Sequence, residues 1–296
     1  MTTEAIRKTA KQTGSSTIGI LKWRNLKKAA AWCFLGALAV TQVYPLLWLL
    51  LYSLKTTSEI LEGRFFALPK SFQWGNYVEA FTSGEYPKYI FNSIIVTGIS
   101  LILTIFFGAM VSYAITRFKW RYGNAVLLVF MIGIMIPIQS TLLPLMVIFK
   151  NMDILNTHAS IIIPYVAFAL PMAVFILSGF LRSVPHEIEE SAMIDGASIY
   201  RTFVSIILPI IVPPIMTVTI LTFISVWNEY IIAATFISSE SLKTLPFGLN
   251  SFVGQYTANY GAIGAFLVLG ALPVIIVYFV LSEKITKGMV DGAVKG

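Results

Sequence analysis

Few residues in this chain can do chemistry. One cysteine, Cys33, excludes a disulfide framework and any multi-cysteine metal site. Two histidines, His158 and His186, sit in or beside loops, so no metal site and no catalytic centre is expected. No Walker A pattern occurs, so no phosphate cradle is built here. Two acidic features stand out. Four of the 14 Asp and Glu residues fall between Glu187 and Asp195. Glu229 lies alone in a long apolar stretch, beside Trp227 and Asn228. A carboxylate in hydrocarbon costs about 3 kcal/mol on insertion scales. Glu229 must therefore face protein, water or a pathway rather than lipid. It either lines a route with Asn228, or pairs with a polar group on a neighbouring helix and organises the bundle. Gln139, between Pro137 and Pro144, is a second polar pathway candidate.

The segments that carry these residues are apolar throughout. Of 296 residues, 57% are hydrophobic and 12% charged, against roughly 25% charged in a soluble domain. Mean hydropathy is +0.80. An ordinary soluble enzyme and a disordered chain are both excluded. Six stretches are long enough to cross a ~30 Å hydrocarbon core. They are Ala29–Leu54, Ile90–Thr116, Ala125–Phe149, Ser160–Leu181, Ile206–Ile237 and Gly261–Ser282. They are continuous rather than alternating, which points to helices and against a barrel. Pro137, Pro144, Pro164, Pro171, Pro213, Pro214 and Pro273 fall inside them, and each is expected to bend its helix.

Charge placement orients the spans. Of the 21 Lys and Arg, fifteen fall on the face shared by both termini. They are Arg7, Lys8, Lys11, Lys22, Arg24, Lys27 and Lys28, then Arg117, Lys119, Arg121, Arg182, Arg201, Lys284, Lys287 and Lys295. Lys55, Arg64, Lys70, Lys88, Lys150 and Lys243 lie opposite. The positive-inside rule puts both termini in the cytoplasm. The net charge of +7 is thereby explained without a nucleic-acid partner. The first apolar run is too long for a signal peptide. The expectation is an all-α membrane protein of six transmembrane helices. Residues 1–28 form a cytoplasmic or interfacial segment, with Ile18–Ala31 suited to the membrane surface. Residues 29–282 form the spanning unit, and residues 283–296 a cytoplasmic tail. The outer segments 55–89, with Phe65, Phe66 and Trp74, and 238–260 either fold over the outer mouth or serve as solvated connectors.

The cytoplasmic loop 182–205, between the fourth and fifth spans, is different in kind. Pro185 and Glu187 suit a first helical turn, and Gly196 suits a left-handed terminator. Between them Ile188, Ala192 and Met193 share a face. So short a helix is marginal alone and gains from docking into a partner groove, with small Ala192 permitting close approach. Ser198 is placed to cap a second short helix.

At this point the sequence resembles a known family. Glu190-Ser191-Ala192, three residues, Gly196, nine residues and Ile206-Ile207-Leu208-Pro209 resemble the EAA loop of ABC importer permeases. Ser191 replaces the first alanine of that pattern. Asp195-Gly196-Ala197, Pro213, Trp227-Asn228-Glu229-Tyr230 and the tail Gly292-Ala293-Val294-Lys295-Gly296 resemble its carbohydrate branch, in particular the smaller permease of maltose-type importers. The resemblance implies a coupling helix docked on a separate ATPase dimer, which would use ATP and Mg while this chain binds no cofactor. Glu190 would be the charged contact, Ala192 would pack against the ATPase, and Gly196 would set the turn. Ser191, Asp195, Leu208 and Pro209 complete the matching residues. It also implies a second homologous permease, an extracytoplasmic solute-binding protein, an oligosaccharide substrate, and residence in the lipid of a bacterial inner membrane. Trp227 would then stack on a sugar ring or anchor at the interface. The competing class is a secondary transporter or channel subunit, for which a single intramembrane charge is too few. An intramembrane enzyme lacks its catalytic residues.

Overall fold

The computed structural model describes the backbone of residues 3–63, 67–118, 120–254 and 258–293, and side chains from 27 to 282 within those ranges. The proposed interfacial role of Ile18–Ala31 rests largely on side chains outside this set. Arg64, Phe65, Phe66 and Lys119, and the side chains of the tail after Ser282, also lie outside it.

The described residues fold as helices, with no strand and one isolated bridge between Val253 and Ala258. In chain order they are α1 (Thr3–Ser53), α2 (Thr57–Leu61), α3 (Gly75–Thr82), α4 (Tyr86–Arg117) and α5 (Gly123–Ile134). Then come α6 (Ile138–Asn151), α7 (His158–Leu181), α8 (Glu187–Ile194), α9 (Ile199–Thr202), α10 (Leu208–Ile210) and α11 (Val212–Trp227). Last are α12 (Ile231–Phe236) and α13 (Tyr260–Ala293). By length and composition Lys27–Ser53, Tyr86–Arg117, His158–Leu181 and Tyr260–Ser282 can each cross a membrane. Two bent pairs raise the number to six if each pair is one span.

Those pairs correct two expected spans. Ala125–Phe149 is not one helix: α5 and α6 meet at 100° across residues 135–137. Pro137 stands at the N-cap of α6, where it has no N–H to continue α5 and forces extended backbone nearby. Ile206–Ile237 is also interrupted. Residues 199–210 meet α11 at 72°, and α11 stops at Trp227 before α12 begins. Five residues, Phe203–Ile207, adopt a wider π turn just ahead of Pro209, which has no N–H to offer a regular turn. Pro213 and Pro214 occupy the first turn of α11, where no donor is needed. The other prolines do not interrupt their helices. Pro144 lies within α6, Pro164 and Pro171 within α7, and Pro273 within α13.

The most extensive packing joins α4 to α7. One face of α4 is a stripe of small residues: Ser93, Thr97, Ser100, Thr104, Gly108 and Ser112, all buried. Small side chains let two helix backbones approach closely where lipid supplies no hydrophobic driving force. A Cβ added at Gly108 would lie 3.1 Å from the Ala173 Cβ. Ser112 Oγ donates to the Val174 carbonyl at 3.3 Å. The apolar core falls into two clusters. One gathers the α4 start, the α7 start, α12, residues 245–252 and the α13 start around Trp227 and Phe266. The other gathers Tyr113, Leu177, Leu181, Ile207 and Ile211 at the opposite end.

The described parts of residues 55–89 and 238–260 are folded over that first end. Asparagines join them. Asn76 Nδ2 donates to the Ser53 and Lys55 carbonyls at 2.8 and 2.9 Å. Asn92 Nδ2 donates to the Ser241 and Lys243 carbonyls at 2.8 and 2.9 Å. Asn259 Nδ2 donates to Glu79 Oε2 at 2.7 Å. Gly261 permits this closeness, because a Cβ there would sit 2.4 Å from Asn76 Nδ2. Glu59 closes a capping box on α2 with Thr56 and accepts from the Lys70 N–H at 3.0 Å. The Lys70 and Thr56 N–H groups hold its carboxyl below the usual carboxylate range.

Two outcomes follow from this packing. Gly108→Leu overpacks the α4–α7 seam and lowers stability by about 1–3 kcal/mol. Thermal unfolding in detergent reads this as a lower midpoint, with Gly108→Ala intermediate; an unchanged midpoint for the leucine variant contradicts the close seam. Because the Glu59 pKa is depressed in the folded state, its contribution is present above the unfolded value near 4.3 and lost as pH falls through the lower folded value. Amide exchange in Thr57–Leu61 should accelerate over that window, and Glu59→Gln should remove the pH dependence.

Candidate functional site

Leaving α7 at Leu181, the chain turns and starts α8 at Glu187, with the His186 carbonyl accepting from the N–H groups of Glu189 and Glu190 at 3.0 and 3.1 Å. Pro185 precedes this cap and is not in the first turn. Glu187, Glu189 and Glu190 occupy that turn, favourable to the helix dipole. The far end closes as a Schellman motif. The Ala197 N–H donates to the Ala192 carbonyl at 2.9 Å and the Gly196 N–H to the Met193 carbonyl at 3.0 Å. Gly196 takes φ +81°, the left-handed conformation expected of it. Ser198 Oγ then accepts from the Arg201 N–H at 3.4 Å and caps α9. Leu208 packs against the inner apolar cluster, and Pro209 is exposed within α10.

The short helix has two faces. Glu187, Glu190, Ser191, Ile194 and Asp195 are exposed. Glu189 and Ala192 are buried, at 4% and 8% exposure. Ala192, expected to pack against a partner, turns toward the chain's own helices. Ile188 and Met193 remain exposed, so the three do not form one docking face. The physical reason is Glu189, one turn before Ala192, which fixes the inward direction.

Glu189 is held from α4. Its Oε1 lies 2.6 Å from Arg117 Nε, with both side chains nearly inaccessible. Arg117 Nη2 also donates to the Val184 carbonyl at 2.9 Å. Tyr113 Oη donates to the other carboxylate oxygen at 2.9 Å. The Tyr113 ring packs on Phe203, past the helix, with centroids 4.9 Å apart. Sequence reading missed this group. Arg117 was counted with the basic face and Glu189 with the acidic run. The available signal was Tyr113 and Arg117 at i, i+4 spacing on the inner end of a span, one face with two groups able to hold a carboxylate.

The four pathway candidates do not converge. Glu229 lies in the break between α11 and α12. Its Oε1 accepts from the Ile232 N–H at 2.9 Å, capping α12, and its Oε2 accepts from Tyr165 Oη of α7 at 2.6 Å. It also lines an open cleft of about 260 Å³ with Tyr165, Phe168, Thr222 and Ser225. Thr222, Ser225 and Glu229 follow one another on a single face of the chain's descent, a polar strip that sequence reading had not joined. Gln139 is exposed in the first turn of α6, beside Ile138 of the cleft wall. Asn228 is exposed and donates to the Ile224 carbonyl at 2.8 Å, ending α11. It borders a different cleft, toward residues 245–249 and α13. Trp227 is 4% exposed, stacks on Phe223 at 5.2 Å, and donates Nε1–H to the Gly270 carbonyl at 3.1 Å. It packs in the core and, with Asn228, also lines the cleft toward residues 245–249. Among the described residues no three His, Cys, Asp or Glu side chains are grouped to hold a metal ion.

Comparison with known proteins fits this arrangement. Residues 101–290 match the family described as "Binding-protein-dependent transport system inner membrane component". A putative ABC transporter permease protein, ORF2, of Caldicellulosiruptor is 37% identical over 92% of this chain and 99% of its own. The diacetylchitobiose uptake system permease NgcG of Streptomyces coelicolor is 34% identical over 86% of this chain and 84% of its own. Among solved structures, a chain of a bacterial ABC transporter involved in import of the acidic polysaccharide alginate superposes with a TM-score of 0.76. It is 21% identical, covers 88% of this chain and 96% of its own, and shares the fold. This chain is therefore a multi-pass transport component and not an enzyme, and it belongs to the family of binding-protein-dependent transport system inner membrane components.

Proposed function

We propose that this chain is a permease subunit of an ATP-driven carbohydrate importer in a bacterial inner membrane. Each bent pair counts as one span, which gives six. The basic face, both termini and the loop 182–205 then lie in the cytoplasm. The observation that carries the reading is the two-faced helix α8. Its exposed side presents Glu190, Ser191 and Asp195, and its buried side is tied to α4. A helix of eight residues has no reason to expose that much charge and still be anchored so firmly, unless something pushes on it.

That partner is an ATPase dimer, which holds ATP and Mg. Glu190 is the charged contact. Ser191 and Asp195 flank it, Gly196 sets the turn, and Leu208 and Pro209 lead the movement into α11. A second homologous permease completes the pathway, and a solute-binding protein delivers substrate to the folded outer segments. The cleft beside Glu229 supplies what a saccharide needs. It has a carboxylate acceptor, the hydroxyls of Thr222 and Ser225, and the ring of Phe168. Carbohydrate as the substrate class is supported by the diacetylchitobiose relative and by the alginate importer with the same fold. A secondary transporter or channel is disfavoured by family membership and by the lone carboxylate in the spans.

The assembly, purified with its ATPase and reconstituted in proteoliposomes, should hydrolyse ATP faster when the binding protein carries one of a panel of saccharides. Absence of any stimulating saccharide overturns the carbohydrate assignment. Glu190→Lys and Gly196→Pro should each cut transport per ATP by about tenfold or more while the spans stay inserted, since proline cannot adopt a positive φ. Normal transport by both removes α8 from coupling. Glu229→Gln keeps one carbonyl acceptor but loses the charge, and should lower transport several-fold with normal assembly. Unchanged transport assigns Glu229 to capping α12 alone.

A further inference from the structure

Arg117, Glu189 and Tyr113 belong neither to the motif that faces the ATPase nor to the cleft, and three features set them apart. Both charges are withdrawn from solvent, at 2% and 6% of side-chain exposure. Isolated charges so placed cost several kcal/mol each, and a well-packed apolar pair would serve stability as well. The group also holds the loop at three points. Arg117 grips the Val184 carbonyl at the loop entry, Glu189 sits in the helix, and the Tyr113 ring abuts Phe203 at the exit. Finally, the helix it is attached to is uninterrupted. α4 runs from Arg117 to Tyr86, with Pro87 confined to its first turn. At that far end, Asn92 and Ser93 bind the outer segment at Ser241, Lys243 and Leu245. By contrast, α5–α6 and the approach to α11 are sharply bent.

We infer that Arg117, Glu189 and Tyr113 form a strut through which force on α8 enters α4. They are positioning residues for energy coupling, and α4 carries the displacement to the outer segments. Glu189 and Glu190 are neighbours in sequence and divide the work. One faces the span and the other faces the ATPase, as the ~100° step of a helix requires. The inference rests on the transport reading above.

The test uses the complete importer in proteoliposomes, with transport and ATP hydrolysis measured together and assembly checked by the amount of ATPase retained. Glu189→Gln leaves the buried Arg117 charge without its counter-ion, so transport per ATP is read on the fraction that retains ATPase, where it should fall about tenfold. Tyr113→Phe removes one hydroxyl and should give a smaller loss of about threefold. The double variant should be no worse than Glu189→Gln alone, as expected of groups acting as one unit. Arg117→Lys keeps the charge but loses the fork that holds Val184, and should fall between them. Wild-type transport per ATP in the assembled variants overturns the strut. So does loss of assembly in Glu189→Gln together with normal coupling in Tyr113→Phe, since the pair then only holds the fold. A wild-type importer that no saccharide stimulates overturns the carbohydrate assignment and leaves the strut standing; a wild-type chain that retains no ATPase overturns the coupling reading, and the strut with it.

Discussion

A guanidinium and a carboxylate buried together at the C-terminal end of α4 set the geometry of the loop 182–205. Because Arg117 and Glu189 are out of water, neither can leave without stranding the other, at about 3–5 kcal/mol. That constraint orients α8. With Glu189 turned inward, Ala192 one turn later is also buried, and Glu190 and Ile194 must point out. The acidic run is thus two populations. One carboxylate is spent on anchoring, and the others remain on a surface that the positive-inside rule would make basic.

The anchor is useful only if the helix that bears it is stiff. α4 meets that requirement through its small-residue stripe, which brings α7 within backbone distance at Gly108 and Ser112. The bends in α5–α6 and before α11 are where the bundle changes direction, and Glu229 sits at a third break. There the carboxylate does two things at once. It caps the helix that follows and ties it to Tyr165 on α7, while it still faces the cleft. Structural and pathway roles need not exclude each other at such a position, since a carboxylate has more acceptor sites than these bonds use.

Much of this was legible in the sequence. Apolar length located four unbroken membrane-length helices and the approximate extent of two bent pairs. The spacing from Glu190 to Pro209 located the loop that holds α8 and α9, and Gly196 announced its own φ. What was not legible depends on partners brought from afar. Pro137 and Pro164 look alike in sequence, yet only the first ends a helix, because neighbours decide whether a lost hydrogen bond breaks or merely bends it. Ala192 was assigned to a docking face because its smallness suits close approach, and smallness does not say on which side. Trp227 was assigned to sugar or interface, whereas the Gly270 carbonyl that takes its N–H lies on another helix. Arg117 and Glu189 were each read as charges; the i, i+4 spacing of Tyr113 and Arg117 marks a place for a carboxylate, but nothing local says that Glu189, 72 positions on, fills it.

If force on α8 enters α4, then α8 and the C-terminal end of α4 move as one body. Spin labels placed on α8 at exposed Glu187 and on α4 at half-exposed Met110, in a chain whose Cys33 is replaced by serine, read this directly in the reconstituted importer. The account predicts one narrow distance distribution that is the same without nucleotide and with ATP trapped, and that broadens in Glu189→Gln. A wild-type distance that changes between the two nucleotide states would contradict it.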